Sequence, residues 1–475
     1  MTTRLTYLGH ACLLIEMGGV RLLMDPWLVG PCEGNGWWHL PAAGSTPEAL
    51  GHVDYIMISH IHDDHFHQPT LERLPKTATV IISYGVDHWM GDVIREWGFG
   101  RVMELDHARR VTLPEGIEVE NYQVGRIDSA FWLRHANETI LNLNDCPTSA
   151  SWCNEWLRHH SRPDIALGAF SYASPFPICY DCGEEDHAQL LAESTERVVQ
   201  QFADTMGVLR PRYAVPFATQ FAFLLPNERW MNSPMPTPVL ALGALADRHP
   251  EINGVLLDPG DRLSVRDGKS RGGPPFDWRH REREIDTVAE ARRGEIARAL
   301  AEEPAPPPDF FERFAAYFER IVSRNWLLRR KVGLDVAFVP QPGGERWIVR
   351  CRRRRNVVSR SVDARAPIEI QLPGSLLYAA IDGRLHWETL YLSNRLRVTL
   401  DRGHLGREWD FWRMLFNFRD GMLRDRLQWF TPRGLRVLRH RYSEILRLLR
   451  ERLVGRSNRE PYSQPDTAAT TDRAV

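Results

Sequence analysis

The sequence predicts an α/β protein whose first part consists of sheets covered by helices and whose second part is an α+β unit. Three observations predict it. The first 225 residues are rich in short apolar runs broken by Gly, Pro and Asp, the pattern of buried strands. Stretches with apolar residues at helical spacing lie between some of those runs. Near residue 278 the pattern changes to long charged helices and a "PAPPP" breaker. A chain of 475 residues also exceeds what one compact core serves.

Taken in order, "RLTYLG", "ACLLIEMGGVRLLMD", "VDYIMIS", "ATVIIS", "IEVENYQV", "SAFWLRHANETILNLND" and "IALGAF" read as strands. "QPTLERL" starts a helix, "HWMGDVIREWGF" is a second, and "EEDHAQLLAESTERVVQQFADTMGVL" is a longer one. Beyond 278, "DWRHREREIDTVAEARRGEIARALAEE" and "DFFERFAAYFERIVSRNWLL" read as helices. "VGLDVAFVP", "ERWIVRCR" and "APIEIQL" are strand-like, and "EWDFWRMLFNFRDGML" and "TPRGLRVLRHRYSEILRLLRERLV" are helical again. The expected division is 1–277 for a metal-binding domain, 278–455 for an α+β domain, and 456–475 for a polar, disordered tail.

Composition narrows the function classes. The net charge of −1 gives no electrostatic reason to expect nucleic-acid or membrane partners. Seven cysteines in a chain this long are no disulfide framework, and Cys179 and Cys182 form only a lone "CYDC". No apolar run reaches the roughly 18 residues of a membrane span, and the start lacks a signal-peptide pattern. A cytoplasmic protein is expected.

The densest chemistry is "SHIHDDH", residues 59–65, directly after an apolar β-branched run. At the end of a strand His60 and His62 point the same way, so two imidazoles converge on one point. Asp64 and His65 follow the turn and address a second point. Desolvating such a cluster is costly, and a divalent cation removes the cost while holding the imidazoles neutral. The imidazole and carboxylate set suits Zn, Mn or Fe and argues against Cu or Fe–S.

These residues resemble the HxHxDH motif of the metallo-β-lactamase fold, which implies an αββα sandwich. "GHACLLIEMGGVRLLMDPWL" looks like its opening strands, with Asp25 at the usual aspartate. "ILNLND" looks like the segment whose aspartate bridges two metals, here Asp145. "DPWLVGP", "GWWHLP", "NDC", "ASPFP" and "RPRYAVPFATQF", in that order over about 4–232, are similar to the metallo-β-lactamase-like part of the CMP-N-acetylneuraminate hydroxylase group. That resemblance implies a non-heme iron oxygenase, with two ions and dioxygen as cofactors. It is shared by diiron monooxygenases of natural-product biosynthesis, among them a β-hydroxylase of chloramphenicol assembly and a platensimycin-type diterpenoid hydroxylase. The Cys-x-His and Cys-x-x-His pair of a Rieske domain does not occur, so electrons are expected from a ferredoxin or reductase. Two family histidines are also missing. The third segment, "NYQVGRIDSAF", offers Asp128 instead, and the fifth, "AVPFATQF", offers no His.

Two reaction classes follow. One is hydroxylation of a C–H bond in a natural-product or CoA- or nucleotide-activated intermediate, which the resemblance favours. The other is hydrolysis by a dinuclear Zn or Mn centre. The expected metal ligands are His60, His62, Asp64, His65 and Asp145, with Asp128 for the first metal. Asp25 is expected to orient a ligand imidazole. His10 reads either as a pocket residue or as a core histidine, and His67 as a helix start. Trp37 and Trp38 either wall a substrate pocket or pack the core. Arg352, Arg353, Arg354 and Arg355 read as a solvated strand edge or as a phosphate clamp. "LPGSLLYAAIDGRLHWETLYLSNRLRVTL" is similar to sterol-carrier-protein-like domains, which implies an apolar ligand or a dimer face.

Overall fold

The computed structural model describes residues 2–416 apart from 87, 126 and 173, together with 430–442 and 446. The expected tail at 456–475 lies outside the described residues, as do the later turns of the last two expected helices.

Two sheets form the first part. In one, the order is Gly268–Ser270, Arg262–Ser264, Arg4–Gly9, Cys12–Met17, Val20–Met24, Tyr55–Ile58, Thr79–Ser83 and Arg101–Leu105. The hairpin between Cys12–Met17 and Val20–Met24 closes through Gly18 and Gly19, with φ of 60° and 89°. A two-residue turn with both φ positive suits only glycine without strain. From Val20–Met24 onward the strands run parallel. The second sheet orders Asn253–Gly254, Tyr213–Pro216, Ile165–Gly168, Glu138–Asn142, Asp128–His135, Glu118–Val124 and Val111–Thr112.

Side-chain alternation sets the layers. Leu22, Met24, Met57 and Ile81 face one core, where they meet Phe131, Leu133, Ile140, Leu167 and Val215 of the second sheet. Their neighbours Leu23, Ile56, Ile58, Val80 and Ile82 face the other way, onto Leu71, Ile94 and Phe99. On the far side Trp132, Leu141 and Ala166 meet Trp152, Phe202, Met206 and Leu245 of the helices Ala150–Leu157, Glu184–Leu209 and Pro238–Arg248. Period-two burial on both sheets therefore gives an αββα sandwich.

A third sheet orders Tyr180–Asp181, Arg397–Leu400, Ile368–Pro373, Asp335–Gln341, Arg346–Arg350 and Val358–Ser361. Its edge strand at 180–181 comes from the middle of the chain. Its core includes Trp27, Trp37, Phe221 and Phe223 beside Phe314, Phe338 and Trp412, so apolar packing runs across both regions. Two expected helices are each broken in two. The charged one divides at Arg292 into Arg281–Ala291 and Arg293–Ala301, where Gly294 weakens helix propensity. The aromatic one divides at buried Asn325, φ −106° and ψ 58°, into Phe310–Arg324 and Trp326–Val332. Among the described residues no helix is long and apolar enough to cross a membrane.

Candidate metal centre

Five turns converge at one end of the sandwich. His10 follows Arg4–Gly9, Asp25 follows Val20–Met24, and the histidine-rich loop follows Tyr55–Ile58. Asp145 follows Glu138–Asn142, and Asp128 opens the antiparallel neighbour Asp128–His135. Three of these turns carry non-glycine residues in the left-handed region: His10 at φ 47°, Asp25 at 40° and Asn144 at 52°. Such conformations cost about 1–3 kcal/mol each and persist where the surroundings enforce them.

The side chains form two groups. In one, His10 Nε2 lies 2.7 Å from Asp64 Oδ2, which lies 3.1 Å from His65 Nε2. In the other, His60 Nε2 lies 2.9 Å from His62 Nδ1 and 3.6 Å from Asp145 Oδ2. The same Asp145 oxygen is 3.6 Å from His65 Nε2, so it stands between the groups. Within each group of three the donor atoms all lie within 4.8 Å of one another. Asp128 Oδ1 is 4.0 Å from His60 Nε2.

Supporting contacts aim the rings. Ser59 Oγ lies 3.0 Å from His60 Nδ1 and 3.2 Å from His65 Nδ1. Asp25 Oδ2 lies 3.2 Å from His65 Nδ1, and its Oδ1 accepts a 2.7 Å bond from Ser59 N–H. Both rings therefore turn Nε2 toward the cluster, the arrangement by which outer partners set a ligand tautomer. Buried Asp145 Oδ1 has no hydrogen-bond partner among the described residues, which ordinarily costs about 1–3 kcal/mol.

Electrostatics point the same way. Burial, with His65 and His62 beside it, holds His60 well below the usual imidazole range. Burial opposes charging of His65, but Asp64, Asp145 and Asp25 outweigh it and raise its pKa well above normal. Burial likewise opposes a charged His62, and Glu388 more than offsets this, to about 9. Burial and neighbouring Asp145 push Asp128 up to about 7. The protein alone thus forces unequal protonation on chemically similar groups. A divalent cation between them lets every imidazole be neutral and every carboxylate ionised. The donor set fits that occupant.

Three contributors are not evident from motif spacing. His10 completes the Asp64–His65 group, and its neighbours explain how. Ala218 N–H donates to His10 O at 3.3 Å, and the Trp27 and Phe221 rings lie 5.3 and 5.9 Å from its imidazole. The fifth segment, which lacks its histidine, therefore shapes His10. Glu33 Oε1 accepts a 3.0 Å bond from Asp63 N–H, within the loop. Glu388, from the helix Trp387–Leu392, places Oε1 3.9 Å from His62 Nε2.

The remaining candidates separate from the cluster. His67 precedes the one-turn helix Gln68–Leu71 and lies 2.9 Å from Thr70 Oγ1 and 3.3 Å from Pro31 O. Trp37 stacks on Phe221 at 3.9 Å, with its ring 6.2 Å from that of His10. Trp38 donates to Asn35 O at 3.1 Å and packs with Leu40 and Leu225. Arg352–Arg355 occupy the exposed connection between Arg346–Arg350 and Val358–Ser361.

Two cavities adjoin the cluster, and neither is lined by those arginines. The larger, of about 490 Å³, lies between the metal loop and residues 384–389, with His62, Asp63, Trp89, Trp97, Arg384 and Glu388 in its wall. The smaller, of about 190 Å³, opens beside Asp145 and is lined with hydroxyls of Thr148, Ser171, Tyr172 and Thr219.

Residues 4–141 match the beta-lactamase superfamily domain. The cytidine monophosphate-N-acetylneuraminic acid hydroxylase of Mus musculus is 25% identical over 442 residues, covering 84% of this chain and 71% of its own. That of Cricetulus griseus is 30% identical over 246 residues, covering 48% of this chain but only 42% of its own length. Among solved structures, CmlA, a diiron β-hydroxylase from Streptomyces venezuelae, is 18% identical with a TM-score of 0.39, covering 55% of this chain and 54% of that one. The layering, the turns that gather histidines and aspartates at one end of it and the domain match together place the metallo-β-lactamase fold in the first part of this chain, with cytidine monophosphate-N-acetylneuraminic acid hydroxylases among its relatives.

Proposed function

We propose that this chain is a metal-dependent monooxygenase that hydroxylates a C–H bond of a small molecule at a non-heme diiron centre. The observation that carries the reading is the reach of the likeness to the mouse hydroxylase. It extends over 84% of this chain at 25% identity, and the beta-lactamase superfamily match at 4–141 includes the histidine-rich loop. The mixed imidazole and carboxylate donor set, with Asp128 near His60, is also one that suits iron.

His10, Asp64 and His65 would hold one ion and His60 and His62 the other, with Asp145 between them and Asp128 beside the second. Bound there, the ions would supply dioxygen activation. The balance is R–H, dioxygen, two electrons and two protons giving R–OH and water, so an external ferredoxin or reductase completes it. The chain's own part is positioning. Asp25 and Ser59 fix the rings, and the cavity of about 490 Å³ seats the substrate against aromatic faces of Trp89 and Trp97. Arg384 in the same wall is the group that would meet an anionic handle such as a nucleotide or CoA phosphate.

The test is single turnover. Iron-loaded, reduced protein is exposed to dioxygen with free, nucleotide-linked and CoA-linked candidates, and products are read by mass spectrometry. Substrate-dependent oxygen uptake with gain of one oxygen atom is expected. A zinc or manganese form that cleaves esters, lactams or phosphodiesters, beside an iron form that consumes no dioxygen, would replace this reading with a hydrolase.

A further inference from the structure

We propose that Glu388 is a positioning residue of the metal centre, so that the C-terminal region fixes a ligand held by the N-terminal fold. The inference rests on reading the histidines as metal ligands. His62 Nδ1 faces His60 Nε2 at 2.9 Å, so its Nδ1 is the nitrogen that joins the His60–Asp145 group. Its other nitrogen, Nε2, is buried without a hydrogen-bond partner among the described residues, and the Glu388 carboxylate faces it at 3.9 Å, an ion-pair distance. His60 and His65 have Ser59 or Asp25 behind the nitrogen that turns away from the cluster. For His62 the acidic side chain in that position comes from the helix Trp387–Leu392. A carboxylate behind a ligand imidazole holds the N–H on the far nitrogen and frees the near lone pair for the metal.

Glu388 does not join the convergent trio of His60, His62 and Asp145, which separates it from a ligand. The segment that carries it is held against the 33–36 loop by contacts of its own. Arg395, 6% exposed, donates to Gly34 O at 3.0 Å. The carbonyl of Ser393 packs where a Cβ on Gly36 would stand. The same 33–36 loop receives Asp63 N–H through Glu33. The centre and the helix are thus fastened through one loop, and a displaced helix would release His62.

The experiment titrates full-length wild type, Glu388→Gln, Glu388→Ala and Glu388→Asp with Co(II) against a chromophoric chelator. Ligand-field spectra are recorded, and circular dichroism confirms folding. Wild type is expected to bind two equivalents. Glu388→Gln and Glu388→Ala are expected to weaken one of the two by roughly 10–100-fold with a changed visible spectrum, and leave the other unaltered. Glu388→Asp is expected to recover part of the loss. Two unaltered affinities and spectra in folded Glu388→Ala would overturn the role of Glu388 alone. Outright loss of one equivalent in Glu388→Gln would overturn positioning in favour of direct ligation. Wild type that binds no Co(II) would overturn the metal reading and this inference with it.

Discussion

Two buried carboxyl side chains make separable predictions, one at the metal centre and one outside it. Asp25 is fully buried behind His65, so Asp25→Asn keeps the shape but loses the charge that stabilises the ligand tautomer. Metal affinity measured by chelator competition is expected to fall roughly 10–100-fold; an unchanged value would remove Asp25 from the centre. Glu408 lies outside the centre. It accepts a 2.7 Å bond from Tyr180 O–H, and burial pushes its pKa up to about 8. The unfolded value is about 4.3. Between those values the folded chain keeps a proton that the unfolded chain releases. Its contribution to stability is therefore full at low pH and lost as pH rises through that window, by up to roughly 1.4 kcal/mol per pH unit. In urea melts from pH 5 to 8.5, Glu408→Gln is expected to gain on wild type steadily as pH rises. A constant difference would mean that Glu408 does not titrate there. The clustering of the histidine-rich loop was legible in the sequence because a strand end and a turn fix the side-chain directions within seven residues. Glu388 was not, because no local periodicity relates residue 388 to residue 62.

Elements were legible where side chains alternate. Leu22, Leu23 and Met24 declare two buried faces in three residues, and the parallel strands at 55–58 and 79–83 repeat the pattern. Breaks within helices were harder to see, since Asn325 and the Arg-Arg-Gly at 292–294 weaken a helix only slightly and tertiary packing decides the outcome. The two-residue strand Tyr180–Asp181 is too short to show a pattern, and it exists only because Arg397–Leu400 lies beside it. Contacts between loop and helix set a limit at Gly36. With a methyl group at that position the Ser393 carbonyl must move, so Gly36→Ala is expected to cost about 1–3 kcal/mol in urea unfolding. The same substitution is expected to weaken metal binding on the His62 side. Stability and metal affinity equal to wild type would show that the loop and helix are not tightly docked.

At the scale of the whole molecule, the αββα sandwich carries the two donor groups and the third sheet closes over the aromatic cluster beside them. Trp27, Trp37, Phe221 and Phe223 are buried with Phe314, Phe338 and Trp412. A chain cut after residue 277 would expose that apolar surface, and is expected to be insoluble or to bind a hydrophobic dye strongly. A soluble fragment with a cooperative melt would show instead that the first part stands alone. Composition separated these regions by their change of pattern, but it carried no sign that they share packing. All of this converges on the pair of donor groups joined by Asp145. The most direct measurement is Mössbauer spectroscopy with elemental analysis on chain purified after growth with ⁵⁷Fe. Two iron ions per chain, magnetically coupled through shared ligands when oxidised, are expected. Protein that retains zinc alone, or iron that is mononuclear and uncoupled, would contradict a diiron centre at His10, His60, His62, Asp64, His65 and Asp145.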